Sequence, residues 1–306
     1  MNVAVIGSNG FIGSHLTQKL SQVPHISIFL FGRNEFSIFK NKYPYTQLNL
    51  SDTNQIKDNF KNIDVVYYLA SATIPSSSWE DPTSELEKNL LPFMIFTECV
   101  SKLNVKKIIF VSSAGTIYGP SSEKVFEYSD KQPFSPYGII KLTIEHFLNY
   151  FKAKYNINYD IFRVSNVYGE GQDTSKGLGI INTFIENILS KGEIQIFGNG
   201  ENTRNYVYVK DVADLLYFSL LSNINESNIY NVASNDTISI NQLISILNQV
   251  IKEDFKITYT RKRQSDNSFI DLDNTKILKS NPDFKFTNIK DGITQTYNYI
   301  KSNKFQ

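Results

Sequence analysis

A chain of 306 residues with 41% hydrophobic and 20% charged side chains, 15 glycines and 9 prolines is globular in composition, which excludes collagen-like, disordered and disulfide-stapled classes. Its 31 basic against 30 acidic side chains leave no electrostatic footprint for nucleic acid or an anionic membrane, although a few placed arginines still suffice for a small anion. With Cys99 as the only cysteine, intrachain disulfides and thiolate metal sites are excluded; no metal is expected, and the cytoplasm is the compartment that fits.

Met1 to Gly7 runs straight into an apolar strand pattern with no basic leader, and no apolar run approaches the ~18 residues that span a bilayer, so neither a signal peptide nor membrane insertion is expected. Asn2 to Ile6 is a short β-branched-rich run, and beyond Gly13 the apolar Leu16 and Leu20 sit four apart, as on one helix face. That is strand, glycine turn, helix. Ile26 to Phe31, Val65 to Ala70, Lys107 to Ser112 and Asn158 to Val164 read as further strands, separated by helical or polar stretches. Such alternation predicts a parallel sheet covered on both faces. Beyond about Tyr168 the rhythm breaks into shorter apolar runs around Gly169-Glu170-Gly171 and Gly198-Asn199-Gly200. The expected architecture is therefore α/β: a Rossmann-type doubly wound parallel sheet over residues 1–168, and a smaller C-terminal substrate-binding domain over 169–306, partly interleaved with the first. Chemistry is expected in loops after strands.

Gly7-Ser8-Asn9-Gly10-Phe11-Ile12-Gly13 follows the first strand and opens the first helix, the setting in which glycines let backbone approach a pyrophosphate at a helix N-terminus. Its G-x-x-G-x-x-G spacing resembles the extended short-chain dehydrogenase/reductases. Their sugar-nucleotide branch, with UDP-hexose 4-epimerases, NDP-sugar 4,6-dehydratases and 4-keto-sugar reductases, is similar to this chain over nearly its whole length. At the end of the second strand, where an NAD enzyme usually offers a carboxylate to the ribose, the chain reads Phe31-Gly32-Arg33-Asn34; Arg33 suits a 2′-phosphate, which tilts the expected cofactor from NAD towards NADP. The resemblance further implies that Asp52 meets the adenine, that Leu69, Ala70, Ser71 and Ser112 lie under the cofactor, and that Asn89 braces the nearby loop.

Tyr137 and Lys141, in Ser135-Pro136-Tyr137-Gly138-Ile139-Ile140-Lys141, are four apart and share a helix face. A phenol with a free pKa of ~10 shuttles protons poorly at neutral pH; a nearby ammonium favours its phenolate. With the segment Val111 to Gly119, the pair resembles the family's catalytic order, in which Lys141 also contacts the nicotinamide ribose. The position that usually supplies a third hydroxyl is Ala114, which leaves Thr116 or Ser113 for that role, Thr116 slightly favoured. Dehydratases of the branch carry an Asp-Glu pair here, and Ala114-Gly115-Thr116 has no acid, so dehydration is not expected.

By resemblance, Asn166 and Arg204 reach a substrate diphosphate, and Arg263 with Asp266 forms an R-x-x-D pair for diphosphate and ribose. Two planar guanidinium groups suit such a clamp. The sequence reading is an NAD(P)H-dependent reductase of a nucleotide-diphospho-4-keto-hexose, serving surface polysaccharide sugar biosynthesis. The alternatives are a UDP-hexose 4-epimerase with retained NAD and, from another class, a non-catalytic dinucleotide sensor. A homodimer is implied through the helix after Asn89 and the one carrying Tyr137.

Overall fold

Val3, Ala4, Val5 and Ile6 are all at most 2% exposed, so the strand Asn2–Ile6 is covered on both faces, as a continuous apolar run requires. The computed structural model describes residues 1–121, 123–175, 177–261 and 270–304. They form two units. The first comprises Met1–Ile117, Lys131–Arg163 and Ala213–Tyr230, and the second Tyr118–Asp130, Val164–Val212 and Asn231–Gln306.

The first unit is built on a seven-stranded sheet in the order Asn228–Val232, Asn158–Val164, Lys107–Ser113, Val65–Tyr68, Asn2–Ile6, Ser27–Gly32, Tyr45–Gln47. Pairing from Tyr45–Gln47 across to Lys107–Ser113 is parallel throughout. Strand order reverses between Asn2–Ile6 and Val65–Tyr68, the switch point at which a doubly wound sheet opens a crevice beyond its strand ends. The Rossmann-type expectation holds. Two of the seven strands escape the sequence pattern: Tyr45–Gln47 is a half-buried triplet at the edge, and Asn228–Val232 arrives from the far side of the chain. The Val65 strand also closes at Tyr68, before Ala70, where the backbone turns to run beside Gly7.

Helices cover the sheet. Phe31 stacks on Phe60 at 4.6 Å and Phe60 meets Phe96 edge-on at 5.0 Å, in a core that also holds Tyr68, Phe93, Phe110, Ile140, Ile144 and Leu148. The long helix Pro136–Tyr155 starts at Ser135, whose side chain accepts from the Gly138 N–H, and ends at Asn156 in the left-handed conformation.

The second unit carries a three-stranded sheet, Thr237–Ser239 with Thr203–Tyr208 with Asn166–Tyr168, and two smaller sheets. In one of these Glu193–Phe197 pairs in parallel with Lys256–Thr260. The helix Ile240–Val250 begins with a reciprocal cap between Ser239 and Gln242. No helix among the described residues is long and apolar enough to cross a membrane.

Candidate active site

The glycine turn sits at the switch point. Gly7 has φ +85°, a left-handed conformation that disfavours a side chain, and a Cβ there would press on the Leu69 and Ala70 backbone at 3.0 Å. At Gly13 a Cβ would run into the carbonyl of Gly7. The helix Phe11–Leu20 opens at Gly10 with no side-chain cap and no acid in its first turn, so the N–H groups of its first turn have no competing carboxylate. These features fit a dinucleotide pyrophosphate. Asn9 faces the other way, donating to Phe36 O at 2.8 Å and accepting from the Ile38 N–H. Phe11 and Ile12 form the first helical positions.

Two strand ends meet at the turn. From the second strand, Phe31 O accepts from Gly7 N–H at 2.8 Å, and Arg33 just beyond is exposed, its carbonyl taken by the Gln47 side chain. Asp52 caps the helix Thr53–Phe60, with one carboxylate oxygen accepting from the N–H groups of Asn54 and Gln55. After the Val65 strand, Asn89 Oδ1 accepts from Ala72 N–H at 2.9 Å while its amide donates to Thr73 Oγ1 at 2.6 Å, fixing the segment that carries Ser71. Asn89 lies in a π-helical turn, Leu86–Leu90, an irregularity frequently found at functional sites.

The end of the strand Lys107–Ser113 meets the helix that carries Tyr137 and Lys141. Gly138 packs so closely on Thr116 that a Cβ would strike the Thr116 carbonyl, which locks the short helix Ala114–Ile117 to the start of Pro136–Tyr155. Ala114 is fully buried, and Thr116 Oγ1 donates to Ser113 O at 3.3 Å. The Ser112 hydroxyl is buried without a partner.

Lys141 is 8% exposed, donates to Val111 O at 3.1 Å, and places its ammonium 4.8 Å from the Phe110 ring centre and 5.5 Å from that of Tyr137. Burial pulls its pKa down to about 8, against the opposing pull of Glu85 and Glu145. Burial likewise pushes the Tyr137 phenol up to about 12; the hydrogen bond with Ser71 works against this, and the charge of Glu85 adds to it. Glu145, one turn beyond Lys141, is engaged by Arg163, whose Nη2 lies 2.7 Å from Glu145 Oε2 and whose Nε also donates.

The first unit thus brings together the turn 7–13, Leu69 to Ser71, Asn89, Ser112, Ser113, Thr116, Tyr137 and Lys141. In the second unit Asn166 and Arg204 lie on adjacent parallel strands, Asn166 paired with Tyr206. The Asn166 amide donates to Asn205 O at 3.0 Å, and half-buried Arg204 donates to Thr203 O at 2.8 Å. Arg263 and Asp266 lie outside the described residues. Among the described residues no group of three His, Cys, Asp or Glu side chains is placed to hold a metal ion. Glu85, 1% exposed and coupled to both Tyr137 and Lys141, was not legible in the sequence; its only signal is a spacing of four from Asn89 on a helix.

A parallel sheet with a glycine turn at its switch point and a Tyr-Lys pair beside the next strand end defines a dinucleotide-dependent enzyme of the short-chain dehydrogenase/reductase type. Residues 3–233 match the model of the NAD-dependent epimerase/dehydratase family, and the chain belongs to that family. It is 31% identical to a putative UDP-glucose 4-epimerase of Methanocaldococcus jannaschii over 98% of this chain and 99% of that one. It is 29% identical to a dTDP-4-dehydro-6-deoxyglucose reductase of Escherichia coli over 80% of each. Among solved structures it resembles UDP-glucose 4-epimerase from Thermotoga maritima with UDP-glucose, at TM-score 0.91 and 28% identity over 99% of both chains.

Proposed function

We propose that the chain is a nucleotide-diphospho-hexose 4-epimerase that transfers hydride reversibly at C4 and retains NAD. The observation that carries this reading is the Tyr137–Lys141 pair beside a strand end of hydroxyls without a carboxylate, Ser112 to Thr116. Elimination of water would need an acid and base there, and buried Ala114 and bare Gly115 supply neither. End-to-end similarity to proteins named as UDP-glucose 4-epimerases supports epimerisation.

NAD, when bound at the glycine turn, supplies the acceptor and donor of hydride. Tyr137, as phenolate, accepts the C4 hydroxyl proton as the C4–H bond breaks and the carbonyl forms; after the keto-sugar turns, it returns the proton as hydride reaches the other face. No net redox change results. Lys141 holds the phenolate by its charge and has donors left for ribose hydroxyls. Thr116 or Ser113 donates to the C4 oxygen, and its hydrogen bond strengthens as charge develops there. Asp52, Leu69, Ala70, Ser71, Asn89 and Ser112 would complete the cofactor site. Asn166 and Arg204, with Arg263 and Asp266, would hold the diphosphate and the nucleoside ribose.

Arg33 favours a second reading, a 4-keto-sugar reductase that consumes NADPH. It stands exposed just beyond Ser27–Gly32, in the position where an NAD enzyme usually offers a carboxylate to the ribose. Incubation with UDP-glucose and, separately, with a 4-keto-6-deoxy nucleotide sugar separates the two. Expected is C4 inversion without cofactor loss and tighter binding of NADH than NADPH; stoichiometric NADPH loss without inversion would make the enzyme the reductase.

A cytoplasmic homodimer is part of the proposal. Leu86 and Leu91 near Asn89, and Ile139 and Tyr150 on the Tyr137 helix, are 47–53% exposed, an apolar face suited to a second copy.

A further inference from the structure

Glu85 is a buried acid for which hydride transfer, as derived above, has no use. It ends the short helix Pro82–Glu85, is 1% exposed, and meets the π-helical turn that packs on the Tyr137 helix. Its Oε2 accepts from the Asn89 amide at 2.9 Å, whereas its Oε1 is buried without a partner. Burying a carboxylate with half its acceptor capacity unspent is costly, and such a group persists where a nearby cation offsets its charge.

The charges around it single out one partner. Of the ionisable groups on the packed helix, Tyr137 and Lys141 in its first two turns feel the charge of Glu85, Glu145 is paired with Arg163, and His146, Tyr150, Lys152, Lys154 and Tyr155 lie further along it. On its own segment Asp81 caps Ser84 N–H, and Glu87 and Lys88 are exposed. Lys141, buried and donating to the Val111 carbonyl, is the cation on that helix whose charge Glu85 offsets most.

We propose that Glu85 is a positioning residue of the Tyr137–Lys141 pair: its buried carboxylate is the counter-charge that keeps the Lys141 ammonium protonated, and through Asn89 it fixes the segment that presents Ser71 to Tyr137. The same carboxylate opposes ionisation of the phenol, so Glu85 couples the two groups and sets the pH at which both work. The assignment of a role in turnover rests on the C4 hydride-transfer reading; the charge coupling does not.

The test compares Glu85→Gln, which removes the charge at constant shape, with Glu85→Asp, which keeps it. In the holoenzyme, kcat against pH should move as a whole to lower pH in Glu85→Gln, by about one unit, because both ionisations lose an interaction of the same sign. Glu85→Asp should restore most of that shift. A profile that drops in height without moving would make Glu85 merely structural and overturn the proposal. Independently of turnover, the carbon-13 shift of the Lys141 ε-carbon, assigned by its loss in Lys141→Arg, should titrate about one unit lower in Glu85→Gln. An unchanged midpoint overturns the proposal even if activity falls. If no nucleotide sugar is turned over yet the midpoint falls, the C4 reading fails and the charge coupling stands.

Discussion

Lys141 donates to the carbonyl of Val111 at 3.1 Å, so the helix Pro136–Tyr155 is pinned to the strand Lys107–Ser113 by the same amine that is proposed to serve the chemistry. Held there in a buried site, the amine has a pKa of about 8, against about 10.4 in an unfolded chain. Between those values the unfolded chain binds more protons, so stability rises with pH across that window, and the cost of the buried charge is present in full below it. That cost is roughly 3 kcal/mol. Lys141→Met should therefore raise the Tm of the cofactor-free protein at neutral pH, with a margin over the wild type that shrinks at alkaline pH, while turnover is lost. Thermal melts at neutral and alkaline pH check this; a lower Tm at neutral pH would contradict it.

The same ionisation shapes the pH dependence of turnover. With the ammonium titrating near 8 and the phenol near 12, the phenolate–ammonium form is a constant minor share of the singly protonated pair between those values, so kcat should rise up to about pH 8 and level off beyond it. Lys141→Arg stays charged throughout, so its residual activity should go on rising with pH past that point. Steady-state rates across the alkaline range distinguish the two enzymes.

Gly13→Ala should abolish dinucleotide binding and cost about 1–3 kcal/mol, because the added methyl collides with the Gly7 carbonyl and the Ser8 backbone, neither of which can yield without moving the turn. Titration calorimetry with NAD and a urea melt read the two effects separately. Retained affinity would mean that the turn does not cradle the cofactor.

Five of the seven sheet strands and the glycine turn were legible because their signals are local: β-branched runs bounded by glycine, and a helical spacing after Gly13. Tyr45–Gln47 is too short and too exposed to leave a period, and Asn228–Val232 joins the sheet only through long-range pairing. The same distinction holds in the site. Tyr137 and Lys141 announce themselves by spacing on one helix. Glu85, however, acts on them from another helix, and Arg163 meets Glu145 across 18 residues of chain, which no periodicity encodes. The Arg33 reading shows a different limit: a single exposed side chain tilts the cofactor preference, yet its structure shows only a loop cation.

The Arg163 and Glu145 side chains are only 3% and 4% exposed and pair with one another, so removing either takes a counter-charge from the other in a buried site. Arg163→Met and Glu145→Gln should each cost about 3–5 kcal/mol, and the double variant considerably less than the sum, since a pair replaced together leaves no lone charge. Denaturant melts of the four proteins measure the coupling. Additive losses would show that the pair is not an energetic unit.

Because Ala114 carries no hydroxyl, the donor proposed for the C4 oxygen would come from a neighbour, and the two candidates differ in commitment. Thr116 already donates to the Ser113 carbonyl, at a long 3.3 Å, a weak bond that a better acceptor can displace. Its backbone is also locked against Gly138, next to Tyr137, which fixes where the hydroxyl can reach. Ser113 closes the strand Lys107–Ser113, with its carbonyl taken by the Thr116 hydroxyl. Thr116→Val, close in shape, should therefore lower kcat by about 100-fold with little change in KM or Tm, whereas Ser113→Ala should cost less than about tenfold. If the larger loss follows Ser113→Ala instead, the two hydroxyls exchange roles, and the lock at Gly138 positions Tyr137 alone.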